Sequence, residues 1–132
     1  MPYIHIQVSG SADDALAERV AASASALTAS LLHKDPALTA VVIDFVPAGQ
    51  WFVAGKRLSA APQRSYHWGV SITDETNTKA EKSAYIAAVH QAMDELLQGA
   101  AEHSYVHVLD ARAAAYGYGG RTQEWRYQKA AA

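Results

Sequence analysis

The chain has 132 residues, half of them hydrophobic, with 11 Lys and Arg against 13 Asp and Glu for a formal charge of −2, and no cysteine. That length suits one compact domain, while the charge balance gives no cationic excess for a nucleic acid or acidic membrane, and the absent thiols exclude disulfides and cysteine-based metal sites or nucleophiles. No apolar run approaches the roughly 18 residues of a membrane span and the first residues lack a basic-then-apolar signal, so a cytoplasmic location is expected.

Residues 3–8 alternate, with Ile4, Ile6 and Val8 on one face and Tyr3, His5 and Gln7 on the other, which predicts a half-buried first strand. Ser11 with Asp14 three residues on resembles a capping box. It opens an Ala-rich stretch that carries Leu16, Val20, Ala24, Leu27 and Leu31 at helical spacing. Pro36 disfavours helical geometry at Asp35, so this helix should stop near His33. Leu38 to Val46 is β-branched and apolar and is expected as a strand buried on most of its surface. Pro47-Ala48-Gly49 makes a turn, and Trp51 to Leu58 forms a short hairpin or arm.

The same order recurs. His67 to Thr73 is a strand with Trp68, Val70 and Ile72 on its apolar face. Thr78 and Glu81 form a capping box ahead of a helix carrying Tyr85, Ile86, Val89, Met93, Leu96 and Leu97, closed by Gly99. Ser104 to Arg112 is another strand, and Tyr116-Gly-Tyr-Gly-Gly-Arg121 follows it. Trp51 and Tyr116 put an aromatic at the same place after each second strand, so the chain is a βαβ unit written twice, about residues 2–60 and 65–125 of a single domain spanning 1–132. The expected fold is α+β, a four-stranded mixed sheet with two helices on one face. The other face, with Tyr3, His5, Gln7, His67, Tyr105 and His107, is too aromatic to be left in water and calls for sister subunits in closed cyclic symmetry.

A chain that begins Met-Pro-Tyr-Ile, runs straight into a strand and repeats βαβ resembles the tautomerase superfamily, whose members include 4-oxalocrotonate tautomerase-like and macrophage migration inhibitory factor-like proteins. Lys34, in His-Lys-Asp-Pro between the first helix and second strand, matches a substrate-facing lysine of the inhibitory-factor branch. The stretch from Tyr105 to Tyr118 is similar to that branch's last strand and following loop, with His107 where the branch has Asn. The resemblance implies a homotrimer with a site at each subunit interface, to which the neighbouring subunit supplies Tyr105, His107 and Tyr118. The loops that carry carboxylate-gripping arginines in the 4-oxalocrotonate branch here read Ser9-Gly10-Ser11-Ala12 and Asp74-Glu75-Thr76-Asn77, so a singly charged substrate is implied.

The chemistry implied is keto–enol tautomerisation of a small α-keto or enol carboxylic acid without a cofactor. Pro2, made the terminal amine by loss of Met1, serves as general base and then acid. An α-amino group ordinarily titrates near 7.7–8.0, and an apolar pocket with Trp51, Phe52, Tyr105 and Tyr118 would favour its neutral form. Lys34 would hold a carboxylate or a developing enolate oxygen, with Tyr105 as orienting donor and His107 beside it. The same proline suits dehalogenase or decarboxylase variants, for which Asp44 is the one acidic candidate, and a trimeric binding protein of this fold without turnover is the alternative outside catalysis. No metal is expected, since His103 and His107 lie about 13 Å apart along a strand.

Overall fold

A computed structural model describes residues 2–131 of the chain. The expected loss of Met1 concerns a residue outside that range. Strand β1 (Tyr3–Ser9) leads to helix α1 (Asp14–Leu32) and strand β2 (Ala40–Val46), after which β3 (Phe52–Val53) and β4 (Lys56–Arg57) form a small hairpin. The second half repeats this order with β5 (Tyr66–Thr73), α2 (Lys79–Leu96), β6 (Tyr105–Ala111) and a hairpin of β7 (Gly117–Tyr118) and β8 (Arg121–Thr122). A third helix, α3 (Gln123–Ala131), follows.

The helix boundaries have local chemical causes. Asp13 caps α1, its Oδ1 accepting from the Leu16 amide at 3.1 Å, so the Ser11–Asp14 pair lies two residues too early to be the cap. His33 ends α1 in the left-handed region at φ 60°, and Asp35 then caps a 3-10 turn over Pro36–Leu38. That turn delays β2 to Ala40 rather than Leu38. The capping box of α2 forms as the sequence implies, with Thr78 and Glu81 each satisfying the other's backbone amide.

The four main strands lie in the order β2-β1-β5-β6, with β1 and β5 antiparallel at the centre and each outer strand parallel to its neighbour. Each parallel pair needs a crossover, which the two helices supply on one face. Ile4, Ile6, Val8, Trp68, Val70 and Ile72 are fully buried beneath Val20, Ala24 and Leu32 of α1 and Tyr85, Val89 and Met93 of α2. Burying an aliphatic side chain of this size contributes about 1.5–3 kcal/mol. Because β2 is a sheet edge, it is not buried on most of its surface. Val41, Ile43 and Phe45 pack on the core while Ala40, Val42 and Asp44 are exposed. The face away from the helices carries exposed Tyr3, Val42, Tyr105 and Leu109.

The Gly-rich segment is tight for a steric reason. A Cβ on Gly117 would stand 1.8 Å from the Arg121 carbonyl oxygen across the β7–β8 hairpin.

Candidate active site

Register decides which residues share one end of the sheet. Tyr3 pairs with Ala40 on one side and Ser71 on the other, and the Pro2 carbonyl accepts from the Ala40 amide at 3.2 Å. Pro2 is buried and sits between the start of β2 and the end of β5. Two residues before Ala40 is Leu38, and two beyond Ser71 is Thr73. Both line a cavity of about 720 Å³. Residues 74–76, Ala113 and Tyr118 form more of the wall, and Gln123, Glu124 and Arg126 of α3 close it. This volume lies within the range typical of small-molecule pockets.

Lys34 belongs to the same end, because α1 stops where the β5–α2 loop crosses it. The Lys34 Nζ donates to Thr76 Oγ1 at 2.8 Å, and Thr76 in turn donates to the Thr73 carbonyl. Asn77 fastens this loop to α1 by donating to the Leu32 carbonyl at 3.0 Å. Burial pulls the Lys34 ammonium below the usual lysine range, against the opposing pull of Glu81 and Asp110. The Tyr116 hydroxyl bonds Thr73 Oγ1 at 2.8 Å, which draws the segment after β6 across the same sheet end. Tyr118 follows, its ring under the Arg126 guanidinium at 3.8 Å and its carbonyl accepting from Arg126 Nη2 at 2.9 Å.

The other candidates lie elsewhere in the chain. Tyr105 pairs with His67, which pairs with Gln7, so it is about 17 Å along the sheet from Pro2 at roughly 3.3 Å per residue. His107 is level with His5, about 10 Å away. Both project from the uncovered face, where His107 Nδ1 lies 3.0 Å from His67 Nε2. Burial, then His107 and His5, hold the His67 pKa below its ordinary value. Asp44 stands on that face at the level of Gln7 and accepts from His5 Nε2 at 2.6 Å. Trp51 and Phe52 follow Val46, which pairs with Ser9, so they occupy the far end of the sheet, about 23 Å from Pro2 along β1. Of the sequence candidates Tyr118 alone lines the cavity; Pro2 and Lys34 lie at the same end of the sheet, each beside a residue that does, while Trp51, Phe52, Tyr105 and His107 stand apart.

Apart from Tyr118 the wall residues were not among the sequence candidates, Thr76, Gln123 and Arg126 included. Gln123 and Arg126 ride on α3, marked in the sequence by Thr122 as a cap, Glu124 in the first turn and Lys129 in the last; the Trp125 amide donates to Thr122 Oγ1 at 3.0 Å.

No protein-family model matches the chain, and no curated protein matches it in sequence. Solved structures do match it in fold. Pt0534 inactivated by 2-oxo-3-pentynoate superposes with a TM-score of 0.81 at 19% identity, covering 94% of this chain and 98% of that one. A wild-type fused 4-OT, described as a symmetric trimer, gives a TM-score of 0.80 at 16% identity over 92% and 96% of the two chains. A macrophage migration inhibitory factor-like protein from Entamoeba histolytica gives 0.75 at 12% identity over 92% and 97%. The chain has the fold of the tautomerase superfamily, in its form with two βαβ repeats.

Proposed function

We propose that this protein is a cofactor-independent keto–enol tautomerase of small α-keto or enol carboxylic acids, working as a homotrimer through the Pro2 amine. The observation that carries the proposal is the placement of Pro2, buried between two strand ends whose neighbouring residues, Leu38 and Thr73, line a cavity of metabolite size. The neutral amine removes a proton from the carbon beside the substrate carbonyl, and the electron pair moves through the carbon–carbon bond onto oxygen. The resulting ammonium returns the proton to that oxygen, and the reverse course converts enol to ketone. Burial and the nearby Lys34 charge favour the free amine near neutral pH, and Lys34 stabilises the developing enolate oxygen.

Trimer assembly gives the separated candidates a role. The trimeric neighbour supports a closed threefold arrangement, which would cover the aromatic sheet face and let an adjacent copy bring Tyr105, His107, Trp51 and Phe52 to a Pro2 that its own Tyr105 and Trp51 cannot reach. Tyr118 then acts from its own chain.

2-Oxo-3-pentynoate offers a test that needs no knowledge of the natural substrate, since a free secondary amine adds to the alkyne carbon conjugated with its ketone. Pro2 should gain one molecule of the reagent per chain, found by mass spectrometry on the peptide that starts at residue 2. Pro2→Ala should lose both rapid labelling and turnover of the enol of phenylpyruvate. Label on any other residue, or unchanged turnover in the variant, would reject the proposal.

A further inference from the structure

Arg126 is the one basic side chain among the described residues that line the cavity, and its surroundings fix its direction. Its guanidinium is stacked on the Tyr118 ring and tethered to the Tyr118 carbonyl through Nη2. A guanidinium has five N–H donors in a rigid fork. Its Nε is buried and has no hydrogen-bond partner among the described residues. One turn earlier on the same face of α3, Gln123 Oε1 is likewise buried and unpartnered. Leaving such groups unpaired is costly, so a donor and an acceptor without partners in one wall point to an occupant. Asp74, Glu75 and Glu124 also line the cavity. Their charge disfavours an anion that the guanidinium does not hold.

We infer that Arg126 is the carboxylate anchor of the substrate, the task that the arginine-free loops leave unfilled. This rests on the tautomerase proposal for the identity of the substrate, and it divides the two cations. Arg126 takes the carboxylate, and Lys34, which reaches the cavity only through its bond to the wall residue Thr76, is left for the carbonyl or enolate oxygen. A single carboxylate is all that one guanidinium among three acidic neighbours accommodates, so monoacids are the substrate class and diacids are refused.

Titration calorimetry with 2-oxopentanoate and with 2-pentanone, which lacks the carboxylate, separates anchoring from mere folding of α3. The intact protein should prefer the acid, and Arg126→Gln should weaken binding of the acid at least about tenfold, as expected for a lost charge-assisted bond, with 2-pentanone unaffected. Arg126→Lys, which keeps the charge without the fork, should fall between. If the variant weakens both ligands alike, if the acid-to-ketone ratio stays constant, or if the intact protein binds no 2-oxopentanoate, Arg126 only braces the helix and the inference fails. None of these outcomes depends on Pro2, whose failure would show instead as missing label from 2-oxo-3-pentynoate.

Discussion

Tyr85→Phe deletes one oxygen from the middle of the core. The Tyr85 hydroxyl accepts from Trp68 Nε1 at 3.0 Å and shares a hydrogen bond with Thr28 Oγ1 at 2.9 Å. All three side chains have zero exposure, so water cannot replace the lost partner. The Trp68 N–H would be left as an unpaired buried donor, costing about 1–3 kcal/mol. Thr28 loses less, because a helical threonine hydroxyl can turn to the carbonyl four residues back. Together these put the loss at about 2–4 kcal/mol. Urea unfolding at one fixed protein concentration is the appropriate assay, since assembly adds to apparent stability. With a slope of about 2 kcal/mol/M, the midpoint should fall by about 1–2 M with the slope unchanged. Thr28→Val added to Tyr85→Phe should cost little more, because a pair removed together leaves fewer orphans than one partner removed alone. An unchanged midpoint in Tyr85→Phe would refute the idea that this triad ties α1, α2 and β5 together. Labelling by 2-oxo-3-pentynoate should survive the substitution, because Pro2 stands at the sheet end.

The His67 pKa is lowered in the folded protein, so below its unfolded value near 6.5 the unfolded chain binds more protons. Stability should therefore fall as pH drops from 7.5 to 5.5, and His67→Gln should flatten the decline in urea midpoint; an equally steep decline would contradict the assignment. Lys34→Met removes a charge that burial disfavours, so thermal stability should hold or rise while turnover of an enol acid drops about 10- to 100-fold, in line with a lost electrostatic contact in the transition state. Parallel losses of stability and turnover would argue for a structural lysine. Gly117→Ala must open the β7–β8 hairpin, so hydrogen exchange over residues 113–130 should quicken and 2-oxopentanoate binding weaken, with the melting of the main sheet unaltered. Thr78→Ala should cost about 1 kcal/mol through loss of the α2 capping box, read from the urea midpoint.

The doubled fold was legible because period-two alternation in residues 3–8 and 67–73 and the capping box at Thr78 are local signals that tertiary packing reinforces. Asp13 and the 3-10 turn at Pro36 were missed because neighbouring polar residues compete for one cap, and geometry rather than residue type selects among them. The site was only partly legible. Pro2 and Lys34 flank regular elements whose ends the sequence marks, whereas Arg126 becomes a wall residue through the hairpin that folds α3 back over residues 73–76. Residues 123–131 carry the marks of an amphipathic helix, but nothing local to them announces that return. The distance of Trp51 from Pro2 follows from the parallel pairing of β1 with β2, which sets the last residues of β2 at the opposite end of the sheet from the start of β1.

The antiparallel pairing of β1 with β5 gives the sheet two corners of matching connectivity, and residue 65 stands at one where Pro2 stands at the other. At the second corner Arg64 Nε grips the Ser9 carbonyl at 2.8 Å, and the Ser65 amide donates to Ser9 Oγ at 2.9 Å. In an assembly of single repeats every corner is written by the same codons, and a brace laid across one would obstruct them all. Encoding both halves separately removes that constraint, so one corner can harden into a seam between the repeats while the other keeps an open mouth.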